Sequence, residues 1–195
     1  MQIRSPGRGD ALVIVDVQND FLPGGTLAVR DGDAVIPPLN EAIRAFSGAD
    51  LPIFATRDWH PPDHCSFVEQ GGPWPSHCVA ETPGAAFPGA LKLSTSAIVV
   101  SKADAPDSEA YSGFSGTDLS DRLAGVKRVF VGGLATDYCV LNTVLDARSV
   151  GLDVVVLEDA VRSVEVEAGD GVRAIARMRT AGARFTSVRT ALGKE

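Results

Sequence analysis

Short apolar runs recur along the chain at Ala11–Val15, Leu51–Ala55, Ala97–Val100, Val129–Val131 and Val154–Leu157, with a weaker one at Ala183–Val188. They are rich in Val, Ile and Phe and show no polar alternation. Near-continuous apolar runs of this length predict strands buried on both faces, and hence a parallel sheet. Helical periodicity fills the gaps. One helix starts between Asp33 and Pro38, with Leu39, Ile43 and Phe46 on one face. Another follows Thr136, carries Val140, Val144 and Ala147, and stops at Gly151. A third carries Val172, Ile175 and Ala176 and stops at Gly182, where a glycine suits the left-handed C-cap. A short turn at Asp118–Ala124 covers the crossover before Val129. Strands alternating with helices predict right-handed crossovers and a three-layer α/β/α sandwich around a mostly parallel, roughly six-stranded sheet.

Residues 58–94 break the pattern. They are rich in Pro, Gly, His and Trp, and long irregular segments inside a compact fold are usually functional. This one holds all three histidines, both tryptophans, and two of the three cysteines, Cys65 and Cys78.

The 195 residues suit a single domain spanning 1–195. A hydrophobic fraction of 45% and a charged fraction of 22% are ordinary for a globular protein. The net charge of −7, without a Lys/Arg cluster, speaks against nucleic acid and anionic membrane and for a small neutral or cationic ligand. The N-terminal residues lack the apolar stretch of a signal peptide, and no apolar run approaches bilayer length. An odd cysteine count argues against a disulfide framework and for a reducing, cytoplasmic setting.

Ligands in parallel sheets bind beyond the carboxyl ends of the strands. The residues that follow the apolar runs there are Asp16, Asp58 and Lys102, while Cys139 opens the helix after Val129–Leu134. Asp159 also ends a run, without an evident role. An aspartate at a strand end is often only a turn former, a lone lysine is usually solvated, and a lone cysteine is usually a small hydrophobe. Together they make chemical sense. A thiol attacks as thiolate. A helix start capped by Thr136 or Asp137, with Lys102 nearby, favours the anion, and Asp16 can take the proton and return it to a leaving amine. The tight Gly132–Asp137 turn either aims two backbone N–H groups at one point as an oxyanion hole or merely lets strand and helix pack.

Asp58 and His60, two apart in extended chain, face the same way, and His77 returns seventeen residues later. Two imidazoles and one carboxylate make a three-ligand set with open positions, suited to a working zinc or iron ion. A Cys2His2 structural zinc site from His64-Cys65 and His77-Cys78 is the rival, and ordinary loop contacts are the plain alternative. His64 reads as a packing or supporting residue. Phe21, Trp74 and Tyr111 are placed to form a flat slot for a ring. Trp59 more simply packs the loop.

These residues together resemble nicotinamidases, within the isochorismatase-like cysteine hydrolases. The matching stretches are Val15–Phe21, Thr56–His64, Gly71–Val79, Ser101-Lys102, Tyr111–Phe114 and Gly132–Val140, in order and with agreeing spacing. The resemblance implies a triad of Asp16, Lys102 and Cys139. It implies a divalent metal, zinc first and iron(II) or manganese(II) next, on Asp58, His60 and His77, with the substrate's pyridine nitrogen replacing a water on it. Phe21 and Trp74 would flank the ring, with Tyr111 close by. A cis peptide entering Ala135 would aim the N–H groups of Ala135 and Cys139 at the oxyanion. The implied reaction is nicotinamide plus water to nicotinate plus ammonia in NAD salvage, with pyrazinamide as a second substrate, through a thioester on Cys139. Members of the family often form homo-oligomers. The acidic insert between Lys102 and Tyr111 departs from some relatives and bears on substrate breadth. Two other readings stand beside this one: hydrolysis of another small amide, such as an N-carbamoyl compound or ureide, and a non-turnover role in metal or ligand binding with Cys139 as a redox sensor.

Overall fold

The computed structural model describes residues 3–194. Six strands form one sheet: β1 (Asp10–Val15), β2 (Ile53–Asp58), β3 (Ile98–Lys102), β4 (Arg128–Leu134), β5 (Asp153–Arg162) and β6 (Arg184–Thr186). Their order is β3-β2-β1-β4-β5-β6, and every pairing is parallel. The helices are α1 (Ile36–Gly48), α2 (Leu119–Arg122), α3 (Leu141–Ser149), α4 (Asp170–Thr180) and α5 (Val188–Ala191). No helix among the described residues is long and apolar enough to cross a membrane.

Side chains alternate across each strand, so one apolar run feeds two cores. Leu12 and Ile14 of β1 and Phe130 of β4 pack with Leu39, Ile43 and Phe46 of α1 and with α5. Ala11, Val13, Val15, Val129 and Val131 face the other way, onto Leu119 and Leu123, Val144 and Ala147 of α3, and Ala174 and Met178 of α4. Phe46 meets Phe130 edge-on, with ring centroids 5.4 Å apart. The three layers follow from burying both faces of the sheet.

Two helical expectations change. The inward face of α4 is Gly171, Ala174 and Met178, whereas Val172 is 72% exposed and Ala176 is exposed. A Cβ at Gly171 would collide with Ser163 and Glu165, and the helix packs on α3 and on the segment Thr136–Val140 that precedes it. The helix after β4 begins as a π-helical turn, Thr136–Val140, before α3, and no side chain caps it. The Asp137 carboxylate instead accepts the N–H groups of Val164 and Glu165, at 2.9 and 2.8 Å. Asp159 lies inside the longer β5 and accepts the Val188 N–H at 2.8 Å, at the start of α5.

The chain leaves β1 in one direction and β4 in the other, so their carboxyl ends open a crevice between oppositely running connections. Gly133 lets β4 come this close. Its φ is +128°, and a Cβ there would run into the Val15 backbone. Gly132 packs against Leu39 and Ala160 in the same manner. Strand packing thus accounts for both glycines.

Candidate active site

The crevice collects one charged or nucleophilic group from each of four adjacent strand ends. Asp16 turns out of β1 with φ +47° and is fully buried. Its Oδ1 accepts the Thr56 hydroxyl at 2.6 Å. Its Oδ2 lies 3.0 Å from Lys102 Nζ as an ion pair, yet has no hydrogen-bond partner among the described residues. A lone pair is therefore left on that oxygen. Asp58 ends β2, and its carboxylate forms a short contact with Lys102 Nζ. Lys102 ends β3, donates to the Ala110 carbonyl at 2.9 Å, and reaches Cys139 Sγ at 3.6 Å. Cys139 is buried in the π-helical turn after β4. Donor atoms of Asp16, Asp58 and Cys139 lie within 4.8 Å of one another.

Burial sets the protonation states. It pushes the Cys139 thiol well above the ordinary thiol range; Lys102 opposes this, and the Asp16 and Asp58 carboxylates add to it. The helix start and Lys102 alone therefore do not yield a resting thiolate. Burial also raises Asp16, against the pull of Lys102. Burial works against the Lys102 ammonium, but the two carboxylates outweigh it and hold the lysine well above its usual range. The arrangement is a protonated thiol beside an unusually basic carboxylate, with a fixed cation next to both.

Asp58, His60 and His77 form a second group, all buried, with donor atoms within 4.8 Å of one another. His60 Nδ1 meets the Ala103 carbonyl at 3.1 Å, and His77 Nδ1 meets the Pro75 carbonyl at 2.7 Å. A carbonyl only accepts, so both rings carry their proton on Nδ1 and leave Nε2 as the free donor atom. Such orientation by backbone carbonyls is usual for metal-bound imidazoles. Burial, with His77 and His64 nearby, drives His60 down to about 3, so its ring is neutral near pH 7. The donor set fits a divalent ion. His64 is buried, but its nitrogens are taken by Ser66 Oγ at 2.7 Å and the Ser108 carbonyl at 3.2 Å, and it packs on His60. Among the described residues, His64, Cys65 and Cys78 join no metal-competent cluster, which removes the Cys2His2 alternative.

A pocket adjoins these groups. Phe21, Leu27, Trp74, Tyr111, Tyr138 and Val164 line it together with Asp58, His77, Ala135 and Cys139. Trp74 Nε1 donates to the Tyr111 hydroxyl at 3.0 Å, and Trp74 meets Tyr138 edge-on. The Leu134–Ala135 peptide is cis. Trp59 lies outside this pocket, under the Arg57 guanidinium at 3.6 Å. The sequence reading missed Leu27, Tyr138 and Val164. Tyr138 alone carried a signal, as an aromatic beside the cysteine.

An isochorismatase domain model matches residues 10–190. The nicotinamidase/pyrazinamidase of Mycobacterium tuberculosis is 42% identical over 182 residues, covering 88% of this chain and 95% of that protein. Among solved structures, pyrazinamidase of Pyrococcus horikoshii in complex with zinc superposes with a TM-score of 0.87 at 50% identity, over 92% of this chain and 99% of that one. PnC1 from L. infantum in complex with nicotinate gives 0.88 at 35% identity, over 97% and 98%.

Proposed function

From a chain that belongs to the isochorismatase family, with a buried thiol, carboxylate and ammonium beneath an aromatic slot, we propose a metal-dependent nicotinamidase acting through Cys139. The observation that carries this reading is the pocket lining. Cys139, Asp58 and His77 line the same pocket as the aromatic side chains of Phe21, Trp74, Tyr111 and Tyr138. A flat ring fits among them, with its carboxamide toward the sulfur. Similarity to the zinc-bound pyrazinamidase and the nicotinate-bound structure supports the ring and the metal.

Asp16 Oδ2 takes the Cys139 proton, and Sγ attacks the carboxamide carbon. Lys102 holds a positive charge beside the forming thiolate. The N–H groups of Ala135 and Cys139 face the developing oxyanion. The tetrahedral intermediate collapses as Asp16 returns its proton to the leaving nitrogen, releasing ammonia. Asp16 then accepts a proton from the water that attacks the thioester, the C–S bond breaks as that proton returns to the Cys139 sulfur, and nicotinate leaves. Asp58, His60 and His77 would hold a divalent ion, zinc first and iron(II) or manganese(II) next, which would supply a positive charge able to attract and polarise a ring nitrogen. Pyrazinamide, a ring of the same shape with two nitrogens, is the expected second substrate. The setting is cytoplasmic NAD salvage.

The second reading, hydrolysis of an N-carbamoyl compound, is separated from the first by its substrate. The test is ammonia release by zinc-loaded protein from nicotinamide, pyrazinamide and an N-carbamoyl amino acid in parallel. Turnover of the two ring amides is expected. Turnover of the carbamoyl compound alone would overturn the reading. Treatment with a strong chelator should lower nicotinamide turnover by about 100-fold or more, and added zinc should restore it. Undiminished activity in metal-free protein would remove the metal from the reaction.

The wall at Val164 gives a second expectation. Asp137 holds the backbone of Val164 and Glu165 through two charge-assisted hydrogen bonds. Asp137→Ala should raise KM for nicotinamide by about ten-fold, the equivalent of one such bond, with a smaller change in kcat. An unchanged KM would mean that Val164 does not shape the bound state.

A further inference from the structure

We propose that Gln18 is a positioning residue for the metal: its carboxamide replaces a missing strand and fixes the Asp58 backbone so that the carboxylate is presented to the ion. This rests on the metal-dependent reading above.

Strand β1 pairs with β2 through Leu12, Val13 and Ile14, and the ladder ends where Asp16 N–H meets the Thr56 carbonyl at 3.2 Å. Asp16 then leaves extended conformation at φ +47°. Strand β2 runs on to Asp58 and still pairs there with Lys102 of β3 on its other side. The β1-side peptide groups of Asp58 are thereby left without a strand. Buried backbone groups without partners are costly, so something must occupy them.

Gln18 does so. It is fully buried. Its Oε1 accepts the Asp58 N–H at 2.8 Å, and its Nε2 donates to the Asp58 carbonyl at 2.8 Å and to the Ala85 carbonyl at 2.9 Å. The amide orientation is unambiguous, because one partner is a donor and two are acceptors. Only a carboxamide gives and takes at once in this plane. A carboxylate would face two carbonyls without a proton. Asparagine is one methylene short of spanning both ends. The Ala85 bond ties the clamp to the 58–94 loop, which also carries His60 and His77. One short segment thus supplies Asp16 as base, Gln18 as clamp and Phe21 as ring wall.

The test is zinc titration of metal-free protein against a chromophoric chelator, with the melting temperature followed in parallel. Gln18→Met keeps the volume and loses all three bonds. It should weaken zinc binding by about 10–100-fold, the usual effect of losing a partner that orients a ligand. Gln18→Asn, which keeps a polar amide and folds more easily, should weaken it by less. A purely structural role would lower the metal-free melting temperature in both variants and leave zinc affinity unchanged, which overturns the proposal. Failure of both variants to fold would also overturn it, by making Gln18 a folding residue. Zinc binding needs no turnover, so failure here is separable from absence of nicotinamide hydrolysis.

Discussion

Cys139→Ala is expected to abolish ammonia release from nicotinamide, a loss of about 10⁴-fold or more, because no other group lining the pocket can form the acyl intermediate. Cys78 is buried and is held well above the ordinary thiol range, mainly by that burial. Cys65 stands outside the pocket lining. Asp16→Asn should cost nearly as much, since an amide cannot take the proton from a thiol that burial keeps protonated. The two residues act as one unit. The double variant should therefore be no worse than Cys139→Ala alone, as is usual for groups that serve a single step. Mass spectrometry adds an independent readout. Nicotinamide mixed briefly with the parent protein should leave a nicotinoyl thioester on Cys139, and neither variant should show it. Full turnover by Cys139→Ala, or a multiplicative loss in the double variant, would overturn the assignment of the nucleophile.

Much of this architecture is legible in the sequence, for a physical reason. Strands in the middle of a parallel sheet are covered on both sides, so Leu12–Val15 and Val129–Val131 read as unbroken apolar runs. Side chains that follow such runs are delivered to one edge, which groups Asp16, Asp58, Lys102 and Cys139. What could not be read is interaction without a period. Gln18 bonds to the backbone of a residue forty positions away, and nothing in a glutamine at that place announces it. Asp137 looked like a cap for the helix that carries Cys139, yet it bonds across to Val164 and Glu165. The inward face of α4 does not follow its apolar residues: Val172 is exposed, whereas Gly171 sits where any Cβ would meet Ser163 and Glu165. Burial raises the Cys139 thiol, in keeping with a reading in which Asp16 takes its proton.

Lys102→Met carries the largest expected effect on stability. The parent side chain is buried, and it is the cation that joins Asp16 and Asp58, two buried carboxylates. Methionine matches its length but leaves both anions unpaired. Breaking a buried ion pair from one side costs about 3–5 kcal/mol. For a chain of this size that corresponds to a fall of roughly 6–20 °C in melting temperature. The deficit has a pH signature. Burial already raises Asp16 with the lysine in place. Without the lysine its folded-state pKa rises further above the unfolded value, so the folded form binds more protons than the unfolded chain in that window. Stability of the variant relative to the parent therefore falls as pH climbs through the window, and recovers as pH drops back toward the ordinary carboxylate range. Denaturant titrations of metal-free protein at pH 5 and pH 8 read this directly, and the gap between parent and variant should be smaller at pH 5. An equal gap at both values would mean that Lys102 stabilises the fold by packing and not by charge. In that case it would also lose its place as the cation that faces the thiolate.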